Sequence, residues 1–230
     1  MTTRIASICV LSFTLTALPA FAQKASEKMA EDRQTFRKSV VEIRDQIDRT
    51  LGALDEIAKG KDAAARKPAL KTFASERAKM EKQADKTADY AQQLRERGKD
   101  YFKGWEKSMK GVTNADLKAA ATERRAAIEA QYKKIEDGIG QAKEAGPAFR
   151  KNLADLQKYY ENDLSNEAIA TSSKLVETTK SDGKKIQDAI DSVLAAVDDV
   201  GKKVEEKSPA ASPAPAAEAS PAPAATPAPR

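Results

Sequence analysis

Apolar residues recur at steps of three and four along most of this chain, the spacing of one helix face and not of a strand. From about Ser26, the expected cap, to Lys59 the stripe runs Met29, Phe36, Val40, Ile43, Ile47, Leu51, Leu54 and Ala58. Gly60-Lys61-Asp62 ends it. A second stripe, over about 63–110, carries Leu70, Phe73, Met80, Ala84, Thr87, Ala91, Leu94, Gly98, Tyr101 and Trp105, with Arg77 its one charged member. Pro68 reads as a first-turn residue or a local kink.

Gly111-Val112-Thr113-Asn114 makes the next turn, with Asn114 the cap before Leu117. The third stretch, about 115–163, shows Leu117, Ala121, Ile128, Ile135, Ala142, Ala145, Phe149, Leu156 and Tyr159. Gly146-Pro147 predicts a kink or short break within it. Ser165 caps the fourth stretch, about 166–206, whose seam is Ile169, Val176, Thr179, Ile186, Ile190, Val193, Val197, Val200 and Val204.

Short turns between long helices force antiparallel neighbours. The expected fold is all-α, an elongated antiparallel bundle or coiled coil of about four helices, each up to about 70 Å long at 1.5 Å per residue. Many seam positions are Ala, Gly, Ser or Thr, so packing should be close but thin.

The two ends read differently. Residues 1–22 have the pattern of a secretory signal peptide: Arg4, an apolar stretch from Ile5 to Leu18, then Ala20-Phe21-Ala22 as an A-x-A site with cleavage after Ala22. No later segment is apolar enough to span a membrane. From Ser208 to Arg230 the chain is almost only Pro, Ala, Ser and Thr, a composition that favours solvated polyproline II over a core. It reads as a disordered spacer or solubilising arm, with wall binding as the alternative. Between lies one domain, 23–207, with 38 Lys+Arg against 34 Asp+Glu, since only Arg4, Arg230 and Glu218 fall outside. That near balance gives no reason to expect a nucleic-acid partner. A periplasmic location follows.

The chain has no histidine, and its one cysteine, Cys9, lies inside the signal stretch. Most nucleophiles, near-neutral acid–bases and structural zinc ligands are thereby missing. Phosphate-loop, dinucleotide, nucleophile-elbow and EF-hand patterns are missing too. Ser181-Asp182-Gly183-Lys184 has the end of a phosphate loop without its upstream glycine or a preceding strand. No enzyme activity, metal or cofactor is expected.

Two clusters are candidates for contact. Tyr101, Phe102 and Trp105, with Met109 one turn on, form either a partner-binding knob or a packing plug at one end of the bundle. Phe73, Phe149, Tyr159 and Tyr160 are expected to form a second aromatic layer toward the other end. Arg95, Lys99, Lys103 and Lys107 make an i,i+4 basic ladder suited to anionic lipid, cell-wall polymer or an acidic partner. The competing reading is internal neutralisation. Residues 161–207 carry 11 acids against 7 bases, whereas 61–110 carry 14 bases against 8 acids. Asp198-Asp199 should then lie level with Leu94–Arg95.

Three elements together resemble a bacterial family of uncharacterised proteins, the domain of unknown function DUF2959. They are Tyr101-Phe102-x-x-Trp105-Glu106, Pro147-Ala148-Phe149-x-x-x-Leu153 and Leu164-x-x-x-Ala168-Ile169-Ala170. The resemblance spans about 101–200. It implies an exported, long-helical, coiled-coil-forming protein and transfers no functional residue. The expected function is that of a non-enzymatic periplasmic scaffold or adaptor that acts by protein–protein contact with an envelope protein or with itself. The alternatives are a holdase-type chaperone and a binder of anionic envelope surfaces.

Overall fold

The computed structural model describes the backbone of residues 20–205 and the side chains of 27–203. The expected signal, 1–22, and the Pro/Ala tail, 208–230, lie outside the described residues apart from a short backbone overlap at 20–22, and so does the Val204 side chain. Four helices fill the described chain: α1 (Ala20–Lys59), α2 (Ala63–Met109), α3 (Ala115–Asn162) and α4 (Asn166–Glu205).

Each turn is closed by a short polar side chain. Asp62 Oδ1 accepts from the amide of Ala65 at 2.9 Å, Asn114 Oδ1 from that of Leu117 at 3.0 Å, and Ser165 Oγ from that of Ala168 at 3.1 Å. These bonds satisfy helix-start amides that have no partner within the helix. The expected cap at Ser26 is not one, because α1 already runs through it. Pro68 lies in the second turn of α2, so of the two readings, first-turn residue or local kink, the first does not hold.

Of the kink or short break expected at Gly146-Pro147, the break does not occur: α3 is continuous across it. The residue before a proline normally leaves the helical region because its Cβ meets the proline Cδ. Gly146 has no Cβ, so the helix passes through. Pro147 still has no N–H to offer the carbonyl of Lys143.

Helix α1 packs most closely on α2, and α3 on α4; α1 against α4 and α2 against α3 complete an antiparallel ring. Along α1/α4 the register is marked by Arg37–Asp198 at 2.6 Å, Arg44–Asp191 at 2.8 Å and Lys180–Asp55 at 2.9 Å. Thus the acid surplus of α4 is met by α1, and not by the basic stretch of α2 as expected. Along α2/α3 the markers are Arg77–Gln157 at 2.7 Å, Arg150–Asp85 at 3.2 Å and Arg95–Glu136 at 3.0 Å.

The core follows the seams, with Phe36, Leu54, Phe73, Met80, Leu94, Ile128, Phe149, Leu153 and Leu156 all at most 2% exposed. Each such side chain contributes about 1.5–3 kcal/mol on full burial. Several seam positions differ from expectation. Ile57, and not Ala58, is buried at the end of α1. Leu117, on the first turn of α3 at the tip, is 62% exposed. Tyr159 is 38% exposed while Tyr160 is buried, its hydroxyl 2.7 Å from Ser172 Oγ. The second aromatic layer is not formed as expected. Arg77 pairs with Gln157, which sets Phe73 level with Tyr160, and Phe149 then stands about 16 Å away at 1.5 Å per residue.

Polar side chains stitch α1 to α2. Ser39 Oγ lies 2.7 Å from Thr87 Oγ1, Gln46 Nε2 donates to Glu76 Oε2 at 2.7 Å, and Thr50 Oγ1 reaches the carbonyls of Gln46 and Glu76. Midway along the bundle the α2/α3 side is open. A cavity of about 530 Å³ lies among all four helices, floored by Phe36, Ile43, Met80, Phe149 and Ile190. Its mouth passes between Ala84 and Ala88 on α2 and Lys143, Gly146 and Pro147 on α3.

Candidate functional site

The sequence candidates all fall on the far part of α2, near its turn into α3. Asp32 of α1 pairs with Arg97 at 3.0 Å, and Asp198 of α4 pairs with Arg37. The described end of α4 therefore falls near the level of Lys99. The α2/α3 tip runs about 20 Å past it at 1.5 Å per residue. Beyond that point two helices must satisfy each other, with only the start of α1 alongside.

They do so through a stack of rings and guanidinium groups. Tyr101 meets Phe102 and Trp105 edge-on, with ring centroids 5.5 and 5.7 Å apart, and Phe102 meets Tyr132 of α3 at 5.6 Å. Edge-to-face pairs of this kind place the positive rim of one ring on the negative face of the next. From α3, Arg124 lies 5.5 Å above the Trp105 ring and Arg125 lies 6.0 Å from that of Phe102. The three candidate aromatics stay half-buried. The cluster thus packs α2 against α3 and leaves its three α2 rings partly exposed.

Deeper in, Tyr132 lies against Gly98, where a Cβ would come within 2.7 Å of its ring. Its hydroxyl is buried without a hydrogen-bond partner among the described residues, and burial holds the phenol strongly in its protonated form. Burial also raises the Tyr101 phenol, an effect the Arg124 charge partly offsets.

The basic ladder divides. Arg95 pairs with Glu136 of α3 at 3.0 Å. Lys99, Lys103 and Lys107 are exposed and carry no ion pair among the described residues. Ladder and rings therefore share the same end of α2 but act on different neighbours. The sequence reading missed Arg124, Arg125 and Tyr132. Counting outward from the 111–114 turn sets Trp105 level with about residue 120, one helical turn short of Arg124, so the count leads to the right stretch of α3 but not to the arginines themselves.

Gly183, the glycine of Ser181-Asp182-Gly183-Lys184, lies inside α4, where an added Cβ would meet Leu51 and Phe149 at 2.9 and 3.1 Å. It is a close-packing residue and not part of a phosphate loop. Among the described residues no group of three or more acidic, His or Cys side chains could hold a metal ion. No described helix is long and apolar enough to cross a membrane.

The family model described as a protein of unknown function (DUF2959) matches residues 17–205, so the chain belongs to that family. The curated proteins contain no match to it, and neither do the solved structures.

Proposed function

We propose that this DUF2959 protein is a non-enzymatic adaptor of the periplasm that works by protein–protein contact at the α2/α3 tip. The observation that carries this reading is the half-buried stack of Tyr101, Phe102 and Trp105 under Arg124 and Arg125, set on two helices beyond the described end of α4. Aromatic and Arg side chains supply the strongest anchors of protein interfaces, and rings held from behind by packing lose little freedom on binding. Export by the signal at 1–22 and reach from the Pro/Ala arm at 208–230 fit the same role. Coiled-coil packing of the seams would give the tip a stiff stem.

A photo-crosslinking amino acid in place of Trp105, with a control at exposed Lys158, tests this in living cells. Capture of one or two defined envelope proteins, or of a second copy, from position 105 alone is the expected result. A broad population of partly unfolded proteins would replace the adaptor with a holdase. Equal capture at both positions, or none, would remove the tip as the interface.

Lys99, Lys103 and Lys107 favour a second reading, attachment of the tip to an anionic envelope surface. Binding of that kind weakens steeply as salt screens the charges. Sedimentation with anionic vesicles or wall fragments that persists unchanged at high salt would exclude it.

A further inference from the structure

A second feature, remote from the tip, points to a small-molecule ligand. The cavity at mid-bundle encloses about 530 Å³, within the roughly 300–1,000 Å³ usual for ligand pockets. Its walls are mainly hydrocarbon, drawn from all four helices, with Thr87 the one uncharged polar side chain among the lining residues. It spans Met80 to Ala91 on α2 and Ile139 to Arg150 on α3, which is about 16 Å of helix at 1.5 Å per residue. That matches the depth of one acyl chain in a bilayer leaflet, about half of a 30 Å hydrocarbon core.

Charge at the mouth supplies the other half of the argument. Only two residues lining the cavity are charged, and both are cations, Lys143 and Arg150. Arg150 is engaged, its guanidinium 3.2 Å from Asp85 across the mouth. Lys143 is exposed and has no partner among the described residues. Next to it the surface is bare: a Cβ on Gly146 would meet nothing within 4 Å beyond its chain neighbours. We propose that the cavity binds a long-chain fatty carboxylate, with the chain in the slot and the head group over Gly146 against the Lys143 ammonium. This site is independent of the tip and of what the tip contacts.

Titration of the purified protein with cis-parinaric acid, a fluorescent long-chain fatty acid, tests the proposal. Saturable one-to-one binding, displaced by oleate but poorly by its uncharged methyl ester, is expected. Lys143→Glu should weaken it about tenfold, the scale of one lost charge-assisted contact. Ala88→Leu and Ala142→Leu enlarge side chains at the lip and wall of the cavity, so each should abolish binding while the helical signal and melting temperature hold or rise. Absence of saturable binding, or binding that both leucine variants retain, would overturn the site. Equal competition by the methyl ester together with unchanged affinity in Lys143→Glu would overturn the carboxylate. Lysophospholipid displacing the probe far better than oleate would assign the slot to a lipid headgroup instead.

Discussion

Arg66 Nη1 lies 2.7 Å from the carbonyl oxygen of Leu164, and its Nη2 lies 2.6 Å from Asn166 Oδ1. One guanidinium, 4% exposed, thereby fastens the α1/α2 turn to the α3/α4 turn at the end of the bundle opposite the tip. Gly60 makes room for it, since a Cβ there would come within 2.5 Å of Arg66 Cγ. Replacing Arg66 with Ala strips the Leu164 carbonyl of a charged donor and should cost about 1.5–3 kcal/mol. Urea unfolding of Arg66→Ala checks this. A change under about 0.5 kcal/mol, the range of ordinary surface substitutions, would mean that the clasp is solvated in solution.

Leu117 and Leu153 should respond in opposite ways to truncation. Leu153 is 0% exposed, so Leu153→Ala should cost about 2–5 kcal/mol. Leu117 is 62% exposed, so Leu117→Ala should stay within about 0.5 kcal/mol. Comparable losses would show that the tip leucine is covered in solution, for instance by a second copy.

Those two residues also mark what could be read from sequence. The turns were legible because Asp62, Asn114 and Ser165 are helix-starting chemistry at breaks in a regular stripe. Seams were legible where large aliphatic residues fixed the phase, as from Phe36 to Ile47. Farther along α1 the stripe could step to Leu51 and Ala58 or to Thr50 and Ile57. Thr50 is not on the expected stripe. Its hydroxyl is in fact satisfied by the carbonyls of Gln46 and Glu76, so it is fully buried and Ile57 follows. Charge pairing was legible only as composition, because which helix flanks α4 depends on the ring order of the bundle. The Tyr101–Trp105 cluster was legible as residues but not as a site, since its α3 partners are set by cross-helix register. The cavity had no sequence signal at all: Ala84, Ala88 and Ala142 look the same in a tight seam and in a gaping one.

Two glycines of α3 should behave oppositely as well. At Gly138 an added Cβ would meet Val193 Cγ2 at 2.6 Å and the Ala189 carbonyl oxygen at 3.2 Å, so α3 and α4 touch through it. Gly138→Leu should therefore lose at least about 1–3 kcal/mol to overpacking. Gly140 is exposed and faces open space, so Gly140→Ala should gain about 0.5–1 kcal/mol in helix preference. Paired thermal melts check both. A stable Gly138→Leu would mean that the two helices stand farther apart.

Stability should be level across neutral pH and fall at both extremes. With no histidine, the chain has no side chain of ordinary pKa near 6.5. At the acid end, hydrogen bonding to Arg37 holds the Asp198 carboxyl below its usual range, and Lys79 and then Gln46 do so for Glu76. A lowered folded pKa gives stability that is present above the unfolded value of about 4 and lost as pH falls below it. At the alkaline end, burial raises the phenols of Tyr101, Tyr132 and Tyr160. A raised folded pKa gives stability that is complete below the unfolded value of about 10 and lost as pH climbs past it. Melting temperature against pH checks the shape, and a step between about pH 6 and 9 would contradict it.

Trp105 is the sole tryptophan of the chain, and it sits on the α2/α3 tip. Intrinsic indole emission is therefore an optical probe of the tip alone, blind to the core around Phe36 and Leu153. If the tip melts before the four-helix body, the indole red shift will come at lower denaturant than the loss of helical circular dichroism. The gap between the two curves then measures how independently the tip opens, without any added label.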